Sequence, residues 1–234
     1  MSFTLQLSPD NPNTRTNAEE TFGTGQWEQR GGRRQTRLFA QYFHRHITVP
    51  FPEDFSVLDV GCALGDAAGI WHKVYPRARL FGCDVSQVAV DRATQDYGSI
   101  ATFTRASFEE IEGMYDVIFC SNVLEHFEQH VAIARELLSH CRILYAMTPY
   151  AELNNGRPMA PAPGAIHVAT FLEDTFAVLE QEAGVRIATK VIRCPVAWGP
   201  RFPTEALWHI KYAFGLIHAP SPPRRQIIYT MSHV

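Results

Sequence analysis

The ten residues Val57-Leu58-Asp59-Val60-Gly61-Cys62-Ala63-Leu64-Gly65-Asp66 constrain the fold of this chain more than any other stretch. A short apolar run that ends in an acid, a glycine turn and a polar start to the next segment read as strand, turn and helix. In an open α/β sheet the ligand crevice lies beyond the carboxyl ends of the strands, where the direction of winding reverses. Glycines there let the backbone approach a ligand with no Cβ in the way. The segment is therefore a place for a nucleoside cofactor.

The chemistry of the turn narrows the choice. Gly61-x-Ala63-x-Gly65 is not the dinucleotide pattern Gly-x-Gly-x-x-Gly. A pyrophosphate wants the free amides of a helix N-terminus, whereas an acid just ahead of the turn suits a cationic amino group. Asp59 thus favours S-adenosylmethionine over NAD. A second strand, Arg79 to Cys83, leads into Asp84, 23 residues after Gly61. A carboxylate at that distance accepts both hydroxyls of a ribose.

The rest of the chain alternates in the same way. Strands are expected near Ser56–Val60, Arg79–Cys83, Ala101–Arg105, Tyr115–Cys120 and Arg142–Met147, the last broken by Pro149. Helices are expected near Arg34–Arg45, near Asp66–Tyr75, from an N-cap at Ser86, and on a face formed by Phe127, Val131, Ala134, Leu137 and Leu138. This alternation predicts an α/β fold with a mainly parallel sheet and helices on both faces. Thr170-x-x-Glu173 reads as a capping box opening a helix to Ala183, with Gly184 as its stop. A further strand follows at about Arg186–Arg193.

Three segments fall outside the alternation. Residues 1 to about 20 are polar and read as a loose arm; the aromatic stretch Phe22–Gly32 is expected to fold over the cofactor mouth. The proline-rich loop after Pro149, near 150–166, is too long for a plain connection. Together with an aromatic insertion near 198–220 it is expected to shape an acceptor pocket. The chain thus divides into 1–33, an arm and covering segment, and 34–234, the catalytic domain.

With Asp-x-Gly-x-Ala-x-Gly, Gly82-Cys83-Asp84-Val85-Ser86, Tyr115-Asp116-Val117-Ile118, Asn122-Val123-Leu124-Glu125-His126 and His167-Val168-Ala169-Thr170-Phe171 in that order, the chain resembles the class I S-adenosylmethionine-dependent methyltransferases. Within them it resembles the small-molecule group that includes the ubiquinone-biosynthesis O-methyltransferases, over roughly residues 35 to 195. The resemblance implies a Rossmann-like seven-stranded sheet in which the last strand, Gln226–Ser232, is antiparallel. It implies that Asp59 and Gly61, with Ala63 and Gly65 in the same turn, hold the amino-acid end of the cofactor. Asp84 would hold the ribose, Val85 and Ser107 or Phe108 would flank the adenine, and Asn122 would close the site after the fourth strand. Ala63 stands where the family commonly has glycine, and Ser107 where it usually has an acid.

The acceptor side carries the catalytic candidates. His126 and His167 are candidate general bases, because an unperturbed imidazole is partly neutral near pH 7. Tyr150 is placed to line the pocket or hydrogen-bond an acceptor. In the ubiquinone-pathway relatives a Glu, a Glu and a His bind a divalent metal; here the first position is Asn122, so no metal is expected. Trp27, Trp198 and Trp208 are candidates for an apolar lid. Arg30, Arg33, Arg34 and Arg37 read as a solvated helix face or, more sharply, as a site for an anionic acceptor.

The expected reaction is methyl transfer to a small-molecule or glycan acceptor, with oxygen favoured over nitrogen. The rival readings are a catalytically silent cofactor-binding partner and an NAD-dependent oxidoreductase. A net charge of −3 gives no electrostatic footprint for nucleic acid. The five cysteines are odd in number and lack Cys-x-x-Cys spacing, so each reads as a core residue. No apolar run approaches the ~18 residues of a membrane span, and the setting is expected to be cytoplasmic. A homodimer is compatible with the sequence.

Overall fold

The computed structural model describes residues 14–47, 51–154, 156–160, 165–181, 184–193 and 225–233. Seven strands form one sheet: β1 (Ser56–Val60), β2 (Arg79–Asp84), β3 (Ala101–Arg105), β4 (Tyr115–Ser121), β5 (Cys141–Pro149), β8 (Val185–Arg193) and β9 (Arg225–His233). Their order is β3-β2-β1-β4-β5-β9-β8. The first five pair in parallel, and β9 runs antiparallel between β5 and β8. The reversal of winding falls between β1 and β4, at the carboxyl end of β1 where Gly61 begins the turn. A two-stranded hairpin, β6 (Leu153–Asn154) with β7 (Arg157–Pro158), stands apart from the sheet.

All five residues of β1 are buried, as a central strand covered on both faces requires. On one face Phe39, Phe43, Trp71, Phe119 and Tyr145 pack together, bringing α3 (Gly32–His46) and α4 (Asp66–Val74) onto the sheet. On the other, Leu124, Phe127, Ile133, Leu137 and Leu144 hold α6 (His130–Ser139). The helix α5 (Gln87–Tyr97) begins with Ser86, whose hydroxyl accepts from Ala89 N. No helix among the described residues is long and apolar enough to cross a membrane.

The structure departs from the sequence expectations in four places. From residue 14 the supposed arm is ordered: α1 (Arg15–Gly23) buries Ala18 and Phe22 against Ala63, Leu64 and Ala89, and α2 (Gln26–Gln29) follows it. Phe127 lies in the turn before α6, packed edge-on against Phe108. The fifth strand runs through Pro149, because Pro149 is a strand end opposite Gln226 where an N–H is not required. The capping box at Thr170 does not form. The Thr170 hydroxyl donates to Glu152 O at 2.8 Å and accepts from Met159 N at 2.6 Å, Glu173 accepts from Tyr150, and α7 begins only at Ala177 (Ala177–Gln181). Trp198, Trp208, Cys194 and the insertion near 198–220 lie outside the described residues.

Candidate active site

The turn after β1 is built on left-handed backbone. Gly61 has φ of 72° and Gly65 74°, and a Cβ on Gly61 would lie 2.6 Å from Val123 Cγ2. Ala63 also takes φ of 49°, a conformation that costs an alanine about 1–2 kcal/mol. Two contacts hold it there: its N–H donates to Asp84 Oδ2 at 3.0 Å, and its methyl packs under α1. The other Asp84 oxygen accepts from Ser86 N at 3.0 Å. One carboxylate at the end of β2 therefore fixes both the glycine turn and the entry to α5.

A cavity of ≈ 240 Å³ opens at this point. Gly61, Asp84, Val85, Ser107 and Phe108, all expected at a cofactor site, line it together with Val123 and Phe127. Arg15 and Glu110, which no sequence motif singles out, also line it. Arg15 Nη2 lies 2.8 Å from each oxygen of Glu110, tying α1 to the loop after β3. Glu110 also accepts from Ser107 N and the Ser107 hydroxyl, and these bonds with Arg15 hold its carboxyl at about 2. Glu19 secures α1 from the other side. It accepts from the Ser86 hydroxyl, Gln87 N and Val88 N at 2.8, 2.8 and 3.1 Å, filling the positive N-terminus of α5. Neither contact has a local sequence signal, since each joins residues more than sixty apart.

Asp59 lies beneath the turn and is 6% exposed. Burial, then the charge of Asp84, pushes its carboxyl well above the ordinary range. Asp84 is itself raised to about 6 by burial, opposed by the amides that bond it. Both carboxyls are thus harder to ionise than a solvated acid, and a nearby cation would offset that cost. That is the electrostatic setting an incoming ammonium group would complete.

After β4, a turn over Leu124–His126 meets the segment that precedes Phe171. Val168 N donates to Glu125 O at 2.8 Å, and His126 Nδ1 lies 2.7 Å from Ile166 O. These two ties clamp His167 beside His126, with ring centroids 5.0 Å apart. His167 Nδ1 meets the Glu152 carboxylate. Burial, then His167, lowers His126 to about 4, and burial raises Glu125 to about 7. Tyr150 is not part of this cluster: its hydroxyl donates to Glu173 Oε1 at 2.8 Å, and Arg225 lies over its ring. Asn122, with φ of 52°, turns its side chain to Gln226 and Met147 O. Neither it nor Tyr150, His126 or His167 is among the residues lining the cavity.

Other candidates prove structural. Arg37 Nε and Nη2 bind Asp66 Oδ1 at 2.9 and 2.7 Å, and Arg33 joins Asp66 to Asp96. These two arginines are committed to a 1%-exposed carboxylate rather than to an anionic acceptor. Trp27 packs on Phe22 and the first turn of α3 rather than over the cavity. Cys62, Cys83, Cys120 and Cys141 are buried free thiols.

Residues 57–143 match the family model described as a methyltransferase domain. The chain is 25% identical over 156 residues to the malonyl-[acyl-carrier protein] O-methyltransferase of Anoxybacillus flavithermus, a match covering 65% of this chain and 53% of that one. The chain thus spans about half the length of that curated relative. Among solved structures it is similar to magnesium protoporphyrin IX methyltransferase from Synechocystis PCC 6803 with bound SAH. There the TM-score is 0.61 at 19% identity, over 94% of this chain and 100% of that chain. The plantazolicin methyltransferase BpumL, in complex with a desmethyl analogue and SAH, gives a TM-score of 0.57 at 18% identity, over 92% and 91%. These two likenesses show a shared fold. An acid beneath a left-handed glycine turn and a second acid at the next strand end stand together on this sheet, within the stretch that matches the methyltransferase domain.

Proposed function

We propose that the chain transfers a methyl group from S-adenosylmethionine to an oxygen of a small-molecule or sugar acceptor. One observation carries this reading. Gly61 and Asp84 line one cavity together with Val123 and Phe127, the residues that bracket the turn bearing Glu125 and His126. In this reading the cofactor lies against that turn. Bound S-adenosylmethionine supplies a methyl already activated by a sulfonium, so the chain has mainly to position two partners. In this reading Asp59, Gly61, Ala63 and Gly65 form the cradle for the amino-acid end. Asp84 takes the ribose hydroxyls, and Val85, Ser107 and Phe108 flank the base. His126 and His167 form the acceptor end, where an acceptor oxygen is held and passes its proton to an imidazole, while Tyr150, bound to Glu173, stands apart from them. The likeness to the Anoxybacillus protein, an O-methyltransferase, favours oxygen over nitrogen.

Calorimetric titration with S-adenosylhomocysteine, with NADH as control, tests the donor half. Micromolar binding of the first alone is expected, and binding of NADH instead would overturn the assignment. A panel of hydroxylated and carboxylated small molecules with labelled cofactor tests the acceptor half. Label appearing only on amines would refute oxygen as the acceptor atom.

A further inference from the structure

Arg193, the last residue of β8, and Arg225, the first of β9, stand directly opposite each other in the antiparallel ladder. Opposed residues send their side chains to one face with Cβ atoms about 5 Å apart, and like charges in that position destabilise a sheet. The face is the one that carries Leu124 and Phe127, since Ile227, two residues on from Arg225, packs in that cluster and Ile192 packs in the other. Both arginines are exposed, and among the described residues neither guanidinium has a hydrogen bond or an ion pair. Basic residues on a sheet edge guard it against pairing with other chains, which accounts for Arg186 and Lys190 on the edge strand β8. Edge protection does not account for Arg225, because β9 lies inside the sheet between β5 and β8.

Arg225 is also held in one orientation. Its guanidinium lies 4.7 Å from the centroid of the Tyr150 ring. That ring is fixed at both ends: Tyr150 N donates to Arg225 O at 3.0 Å, and the hydroxyl donates to Glu173 Oε1 at 2.8 Å. A guanidinium laid on an aromatic ring keeps the N–H groups of its edge for an anion, which a planar fork binds through two oxygens at once.

From this geometry we infer that Arg193 and Arg225 seat an anionic group of the acceptor, a carboxylate or a phosphate, at the end remote from the methylated atom. Two guanidiniums side by side bracket one such group with charge-assisted bonds, and the anion removes the repulsion between them. Two strand spacings separate β4 from β9, so the seat stands about 10 Å from the turn that carries His126. The acceptor is then an elongated small molecule with an anion about that far from the oxygen that takes the methyl group. This rests on the methyl-transfer reading for calling the ligand an acceptor; the seat itself does not. It replaces the anion site expected at the Arg30–Arg37 cluster, where Arg33 and Arg37 are bound to Asp66 and Asp96.

The test titrates inorganic phosphate, and separately acetate, into the full chain at constant ionic strength, read by the arginine Nε–H signals in ¹⁵N NMR. One anion per chain is expected, shifting the two signals that Arg193→Gln and Arg225→Gln remove. Each of these variants should weaken that site about tenfold, the loss of one charge-assisted partner. Arg225→Lys should recover only part of the loss, for want of the planar fork, and Arg45→Gln, on the exposed face of α3, should change nothing. The tighter of the two anions identifies the group the acceptor carries. Calorimetry with S-adenosylhomocysteine runs alongside and should give the same affinity in every variant. A wild-type chain that does not bind S-adenosylhomocysteine breaks the methyl-transfer reading and leaves the seat to be judged on its own two signals. A variant that fails to fold, identified by circular dichroism, leaves the wild-type signals and the remaining variants to decide. Shifts confined to other arginines, or anion binding unchanged in both folded variants, overturn the inference.

Discussion

Replacing Asp84 by asparagine separates what this residue does for the cofactor from what it does for the fold. In the ligand-free protein its carboxylate accepts from Ala63 N and Ser86 N, and burial raises it from the ordinary 3.8 to about 6. At about 1.4 kcal/mol per pH unit, holding that charge at pH 7 costs folding about 3 kcal/mol. Asparagine removes the cost and loses one charge-assisted amide bond worth about 1.5–3 kcal/mol. Stability should therefore stay within about 1.5 kcal/mol of the wild type. Binding should not: two ribose hydroxyls losing a charged acceptor forfeit about 3 kcal/mol, a hundredfold in Kd. The pH dependence follows from the sign of the shift. The folded state holds the Asp84 proton more tightly than the unfolded chain, so the residue's contribution to stability falls as pH rises from about 4 to about 6. The variant should show a shallower decline over that range, the part due to Asp59 remaining. Urea unfolding between pH 4 and pH 7, alongside titration with S-adenosylhomocysteine, reads both quantities. If the variant binds within threefold of the wild type, the ribose does not rest on Asp84.

Gly61→Ala forces an alanine into positive φ with its Cβ 2.6 Å from Val123 Cγ2, and should abolish measurable S-adenosylhomocysteine binding in a chain that still folds; retained affinity would mean the cofactor does not approach this turn. Arg37→Ala leaves the buried Asp66 with only Arg33 and Tyr97, and should cost about 1–3 kcal/mol in urea unfolding; a loss under about 0.5 kcal/mol would show the pair to be worth no more than a surface salt bridge. Arg15→Ala removes an exposed ion pair from the cavity lining. Stopped-flow release of S-adenosylhomocysteine should quicken severalfold while the melting temperature barely moves, and an unchanged release rate would remove Arg15 from the path. Glu19→Ala strips three donors of their acceptor at the start of α5, and should cost about 1–2 kcal/mol and speed proteolysis around α1; unchanged protease resistance would show that α1 is held by its apolar face alone.

The alternation of strand and helix, and the glycine turn with its two strand-end acids, are legible in local residue patterns alone. Val57 to Val60 is apolar on both faces and must be a central strand. Asp59, Gly61, Gly65 and Asp84 stand at strand ends where only a few residue types serve. Patterns of this kind carry their own physical cause within a few residues, and the ends of β1 and β3 follow from them to the residue. The capping box at Thr170 misleads for the same reason in reverse. Its pattern is local, but a partner eighteen residues back, the Glu152 carbonyl, takes the hydroxyl.

What tertiary structure alone decided lies in the long-range pairs. Arg15 with Glu110, Glu19 with the α5 amides, and Arg37 with Asp66 each join segments tens of residues apart, and turn a supposed arm and a supposed anion site into fixed parts of the fold. The turn after β4 shows the division most clearly. The sequence places Glu125 beside His126 and leaves His167 forty-one residues away. Two backbone-directed ties, Val168 N to Glu125 O and His126 to Ile166 O, close the gap. Residue type determined which groups this chain has for its chemistry. Chain closure, invisible to any local pattern, determined which of them meet.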